Sequence, residues 1–159
     1  MTRAAVITVS DRSAAGERED ASGPIAVAAV RDAGFDCADA VVVPDGADNV
    51  ERALTAEIVA GVKLIVTTGG TGVAPRDQTP EGTARVLTRE IPGIAEELRR
   101  LGAAEKPAAM LTRGLAGVVD PHGVLVVNLP GSTAAVASGM PVVLSVARHV
   151  LDQLGGGDH

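Results

Sequence analysis

Residues Thr67-Thr68-Gly69-Gly70-Thr71-Gly72, with Pro75-Arg76-Asp77 and Thr79-Pro80-Glu81 close behind, carry the clearest chemical signal in this chain. The apolar run Leu64-Ile65-Val66 precedes them and reads as a buried strand. The glycines and threonines then offer backbone N–H groups and hydroxyls where that strand ends. Glycine lets the main chain approach a ligand closely, and strand ends are where open α/β sheets bind ligands. The segment therefore reads as a phosphate cradle. Asp77 adds a carboxylate able to hold a cation beside bound phosphates, and Arg76 adds positive charge. Asp45, just after another predicted strand, is a second such carboxylate. Mg²⁺ usually takes one or two carboxylates together with phosphate oxygens and water, so Asp45 and Asp77 are the candidate catalytic and metal-binding residues. Pro44-Asp45-Gly46 fits a plain turn equally well.

Two further segments fall at expected strand ends. Ser10-Asp11-Arg12 closes the first strand, where Arg12 can bind a phosphate and Asp11 can orient it. Pro130-Gly131-Ser132 follows the last strand, and Ser132 suits the cap of a helix whose N–H groups meet an anion. Asp20-Ala21-Ser22-Gly23-Pro24 reads as a helix cap. The better-known phosphate loops do not fit. A Walker loop needs Gly-Lys, which is absent. The dinucleotide fingerprint would begin at Gly70, but Pro75 stands at its last glycine. A serine-hydrolase elbow fails around Ser132, where Pro130 and Ala134 replace the flanking glycines. Cys37 reads as a core residue, and His122, His149 and His159 lack metal-ligand spacing.

These side chains need a frame. Strand-like runs at 4–10, 38–43, 63–67, 115–119 and 124–128 alternate with helix-like runs at 24–33, 49–60, 79–89 and 92–102. Thr79 is the expected cap of its helix, with Pro80 and Glu81 in the first turn, and Pro141 is the expected start of a final helix. Asp120-Pro121-His122-Gly123 matches a type I turn, so one strand should run antiparallel. Alternating strands and helices predict a three-layer α/β/α sandwich with a mostly parallel sheet. One domain is expected over 1–159, with a core over about 4–154.

Composition narrows the function. Hydrophobic residues make up 46% of the chain, yet Phe35 is the only aromatic residue. Stacking on single-stranded nucleic acid needs aromatic platforms, and a formal charge of -6 opposes polyanions. No nucleic-acid partner is expected. A single cysteine permits no intrachain disulfide. The N-terminal residues show no signal-peptide pattern, and no apolar run reads as long enough to span a bilayer. A cytoplasmic location away from membranes is expected.

The combined motifs resemble the molybdopterin-binding proteins of molybdenum-cofactor biosynthesis (the MogA/MoaB type). The matching residues are Ser10-Asp11-Arg12 with Gly16, Glu19-Asp20 and Ser22-Gly23; Pro44-Asp45; Thr67 to Gly72; Pro75-Arg76-Asp77 with Thr79-Pro80-Glu81; Pro92-Gly93; and Asn128 to Gly131. The likeness runs from Val6 to about Leu154, and the first segment is more like the adenylyltransferase branch. The resemblance implies a molybdopterin adenylyltransferase that transfers AMP from ATP to molybdopterin with Mg²⁺ and releases pyrophosphate. It implies a homotrimer and a downstream enzyme that inserts molybdate. Asp45 and Asp77 match the family's functional acids. Thr68, Gly69, Gly70, Thr71 and Gly72 match its ligand loop, and Ser10, Asp11, Pro130, Gly131 and Ser132 match further pocket segments. The alternative is a non-catalytic molybdopterin carrier of the same pathway.

Overall fold

The computed structural model describes residues 1–157. Its strands are β1 (Arg3–Val9), β2 (Asp36–Cys37), β3 (Val41–Val43), β4 (Leu64–Thr68), β5 (Arg89–Glu90), β6 (Ala116–Val119) and β7 (Val124–Leu129). Its α-helices are α1 (Asp11–Ala14), α2 (Ser22–Asp32), α3 (Ala47–Val59), α4 (Thr79–Ala84), α5 (Pro92–Glu105) and α6 (Thr133–Leu154), with a 3₁₀ turn at Pro107–Leu111. The described residues form one seven-stranded sheet in the order β2-β1-β4-β7-β6-β5, with β3 continuing on the same edge of β1 as β2. Strands β1, β2, β3, β4 and β7 pair in parallel, and β6 alone runs against the others.

The central strands are apolar on both faces, as a parallel sheet covered on both sides requires. Ala4, Val6, Leu64, Val66, Leu125, Val127 and Leu129 pack under α2, α5 and α6. Ala5, Ile7, Val9, Ile65, Val124 and Val126 face the other way, against Val50, Leu54 and Ile58 of α3. Alternation along each strand thus builds two cores and three layers. The predicted sandwich and its antiparallel strand are both present.

Several local expectations are corrected. The single strand predicted at 38–43 is broken into β2 and β3. Arg31 of α2 donates from Nε to the Cys37 carbonyl (2.8 Å) and pairs with Asp39 (3.2 Å), which draws 38–40 out of the ladder. Residues 11–14, outside every helix-like run of the sequence, form α1, where the Ser10 hydroxyl accepts the Ser13 N–H. The cap of α4 is Gln78, and Thr79 is already helical. That helix ends at Ala84, and Arg89–Glu90 join the sheet. The β6–β7 connection is closed by the Gly123 N–H on the Val119 carbonyl (2.9 Å), not by the Asp120–Gly123 bond of a type I turn; the Asp120–Pro121 bond is cis.

Pro141 lies inside α6 and does not start it. Proline in a helix interior removes one bond and costs about 3 kcal/mol. The buried stripe Val136, Met140, Val143 and Ala147 holds the helix in register across it. One consequence corrects the composition reading: the unbroken 22-residue α6 is long and apolar enough to cross a membrane by length and composition. In this fold its apolar stripe instead packs into the core beside α2, α5 and β7.

Candidate functional site

The carboxyl ends of β1, β3, β4 and β7 all reach the same rim, because those strands are parallel. A cavity of about 850 Å³ opens there. Ser10 comes to it from the end of β1, Asp45 from the end of β3, Thr68 from the last position of β4, and Gly69, Gly70, Thr71, Gly72 and Asp77 from beyond it. Pro130, Gly131 and Ser132 come from β7. Residues far apart in the chain therefore share one wall, as their strand-end positions predicted. His122 and His149 are not in that wall, and the His159 reading lies outside the described residues.

The glycine loop is pressed into the sheet end. Gly69 donates its N–H to the Leu129 carbonyl (3.0 Å), which ties the loop to β7. A side chain at Gly69 would put its Cβ 2.3 Å from the Val9 carbonyl oxygen, so only glycine fits between β1 and β7. Thr79 fastens the other side. Its hydroxyl donates to the Gly69 carbonyl (2.9 Å) and its N–H to the Gly70 carbonyl (3.0 Å). Behind the loop, buried Asn128 donates to the hydroxyls of Thr67 (2.9 Å) and Thr83 (3.0 Å) and accepts the Leu115 N–H (3.0 Å). Ser132 caps α6 by accepting the Ala135 N–H (3.1 Å), and the amino end of that long helix faces the cavity. Such an end favours an anion.

The two acids are presented differently. Asp45 Oδ2 accepts the Asp11 N–H (2.9 Å), while Asp11 Oδ1 accepts the Asp45 N–H (3.1 Å). This exchange locks the β1 and β3 loops together. Burial pushes the Asp45 carboxyl pKa up, and the charges of Asp11 and Asp77 push it further against the opposing Asp11 N–H bond. The Arg76 guanidinium holds Asp11 below the usual carboxylate range. Asp77 accepts the Ala74 N–H (3.1 Å) and lies against Gly72, where an added Cβ would fall 2.8 Å from its Oδ2.

Three predicted ligand residues are not in the cavity wall. Arg76 turns away, with a bidentate grip on Asp11 (3.1 and 3.0 Å) and a bond to the Asp45 carbonyl (2.9 Å). Asp11 faces Arg76, and Arg12 is exposed outside the wall. Asp11 and Arg76 thus brace Asp45 from behind. Conversely, Arg18 and Lys106 line the cavity without having been singled out, and Thr112 bonds the Thr71 hydroxyl (3.0 Å). No local motif marks these residues; only the packing of α5 and the 3₁₀ turn over the loop brings the last two in. Asp20, read as a cap, does accept the Gly23 N–H (2.9 Å), and it also accepts the Thr8 hydroxyl (2.8 Å) at the cavity edge.

Among the described residues no group of three or more His, Cys, Asp or Glu is arranged to hold a metal ion. A fully protein-ligated metal does not fit. Two carboxylates in one cavity, with Asp45 Oδ1 facing the loop at Gly70, do fit a cation that arrives with phosphates and keeps water.

Residues 5–149 match the family described as the probable molybdopterin binding domain. The chain is 41% identical over 156 residues to a molybdenum cofactor biosynthesis bifunctional protein of Synechococcus elongatus, covering 98% of this chain and 48% of that one. It is 38% identical to a molybdopterin adenylyltransferase of Pyrococcus furiosus, covering 92% of this chain and 87% of the relative. The crystal structure of a molybdopterin biosynthesis protein from Mycobacterium abscessus superposes with a TM-score of 0.90 at 42% identity, covering 98% and 97%. The chain spans about half the length or less of the first curated relatives it matches.

Proposed function

Because the chain belongs to the molybdopterin-binding family of molybdenum-cofactor biosynthesis, we propose that it is a molybdopterin adenylyltransferase. In this reading it transfers AMP from ATP to molybdopterin and releases pyrophosphate. A non-bridging oxygen of the molybdopterin phosphate forms the new bond to the α-phosphorus, and the bond to the β-phosphate oxygen breaks. The attacking phosphate is already anionic, so no strong base is needed. Alignment and charge stabilisation are the tasks left to the protein.

The chain's own residues suit those tasks. Backbone N–H groups of Gly70, Thr71 and Gly72 would orient phosphate oxygens, and the amino end of α6 would hold a second anionic group. Asp45 and Asp77 would hold Mg²⁺, which when bound supplies positive charge beside the leaving pyrophosphate. Arg76 and Asp11 would set the direction of Asp45 rather than touch substrate. The observation that carries the proposal is the placement of both acids in the cavity that the glycine loop lines, with Asp45 partly buried against two like charges. A site of that kind favours a cation. The same reading includes a homotrimer, a cytoplasmic location and a downstream molybdate-inserting partner.

The test is pyrophosphate release from ATP and molybdopterin, with and without Mg²⁺, together with detection of adenylylated molybdopterin. Release that needs all three components is the expected result. Tight molybdopterin binding with no pyrophosphate would replace the transferase with a carrier.

A further inference from the structure

Arg113, between the 3₁₀ turn and β6, takes no part in the reading above and does not line the cavity. Its contacts nevertheless enclose one arm of the site. Its backbone N–H donates to the Thr71 carbonyl (2.8 Å), its Nε to the Gly72 carbonyl (2.8 Å) and its Nη2 to the Asp77 carbonyl (2.8 Å). The outer edge of the guanidinium meets the Glu81 carboxylate of α4 at 2.7 and 3.2 Å. One planar group therefore ties both ends of the 72–77 segment to each other and to a helix. Within that segment the Asp77 carboxylate accepts the Ala74 N–H and lies against Gly72.

The ion pair at the outer edge adds little to global stability. The Arg113–Glu81 pair is 39% and 49% exposed, and exposed ion pairs contribute little to folding. What the guanidinium adds is geometry: its fixed fork reaches two carbonyls and a carboxylate at once, which a lysine ammonium on a flexible stem does not reproduce. We infer that Arg113 is a positioning residue that holds the 72–77 segment so that the Asp77 carboxylate faces the cavity, acting through the Gly72 and Asp77 carbonyls. The inference rests on Asp77 serving the adenylyl transfer proposed above. It adds a requirement for a guanidinium outside the cavity.

Arg113→Lys and Arg113→Ala test it by two independent measurements. In the ligand-free protein, hydrogen exchange in residues 71–78 should speed by about tenfold in both variants, with the central strands unchanged, as a local opening would. Turnover should fall by about a hundredfold, the scale of a small misplacement of a reacting group. Guanidinium ion at millimolar concentration should restore part of the turnover of Arg113→Ala, and methylammonium should not. Unchanged exchange in both variants would overturn the inference, as would unchanged turnover, and so would faster exchange spread through the whole sheet with no guanidinium rescue. If Arg113→Ala does not fold, Arg113→Lys keeps the charge and stem and decides the matter. Should the unaltered protein form no adenylylated product, the functional reading fails, while unchanged exchange in the variants would separately refute the role given to Arg113.

Discussion

Replacing Gly70 by alanine should separate two costs that the glycine loop avoids. Gly70 has φ +67, in the left-handed region. Its added Cβ would fall 2.3 Å from the Thr79 hydroxyl oxygen and 3.1 Å from Asp45 Oδ1. The hydroxyl has little room to yield, because Thr79 is fully buried and donates to the Gly69 carbonyl. The backbone conformation costs a non-glycine residue about 1 to 2 kcal/mol. Displacing the hydroxyl leaves a buried carbonyl unpaired, at about 1 to 3 kcal/mol. Together these give about 2 to 5 kcal/mol, or a Tm lower by about 4 to 20 °C for a chain of this size. Gly16→Ala is the internal control: its φ is +75, and an added Cβ meets nothing within 4 Å. It should show the conformational cost alone, about 1 to 2 kcal/mol. Urea and thermal denaturation of both variants supply the comparison. If Gly70→Ala costs no more than Gly16→Ala, the collision with Thr79 is not real and the account of the loop is wrong.

Asp77→Asn should lower turnover by about a hundredfold or more, as loss of one electrostatic stabiliser does, while leaving Tm within a few degrees; near-normal formation of adenylylated molybdopterin would remove Asp77 from the reaction. Asp45→Asn should impair turnover yet raise Tm at pH 7. Burial, with the charges of Asp11 and Asp77, raises the folded pKa of Asp45, so ionisation opposes folding above that raised pKa and has no effect below the ordinary carboxylate range. The gain in Tm should therefore vanish as pH falls through that range, and a gain independent of pH would contradict the assignment. Asn128→Leu should destabilise by about 2 to 4 kcal/mol in urea denaturation, because it strands the Leu115 N–H and two threonine hydroxyls in the interior; a loss below 1 kcal/mol would show that water or rearrangement satisfies them.

Much of the site was legible where the signal is local. A glycine cluster after an apolar run, and an aspartate after a strand, each declare a position at a sheet end without knowledge of the partner strands. That logic brought Ser10, Asp45, the glycine loop, Asp77 and Pro130 to Ser132 to one cavity. It failed for Arg76, whose partner Asp11 lies 65 residues away in sequence. A charge beside a phosphate loop suggests a ligand, and only the folded geometry shows that its fork is already occupied. Arg113 carried no signal at all, since its three carbonyl contacts come from a distant loop. The split strand at 38–40 and the helix running through Pro141 have a common cause: tertiary contacts of Arg31 and of the α6 stripe override the local preference.

Strand β4 sits between β1 and β7, which enter the sheet from opposite ends of the sequence. The cavity wall is therefore complete only when strands from both ends of the chain have paired with β4. A nascent polypeptide lacking the final docked strand has half a cleft and no amino end of α6 to greet an anion. Such long-range pairing slows folding, and it makes the shape of the cleft depend on the whole sheet rather than on any one loop.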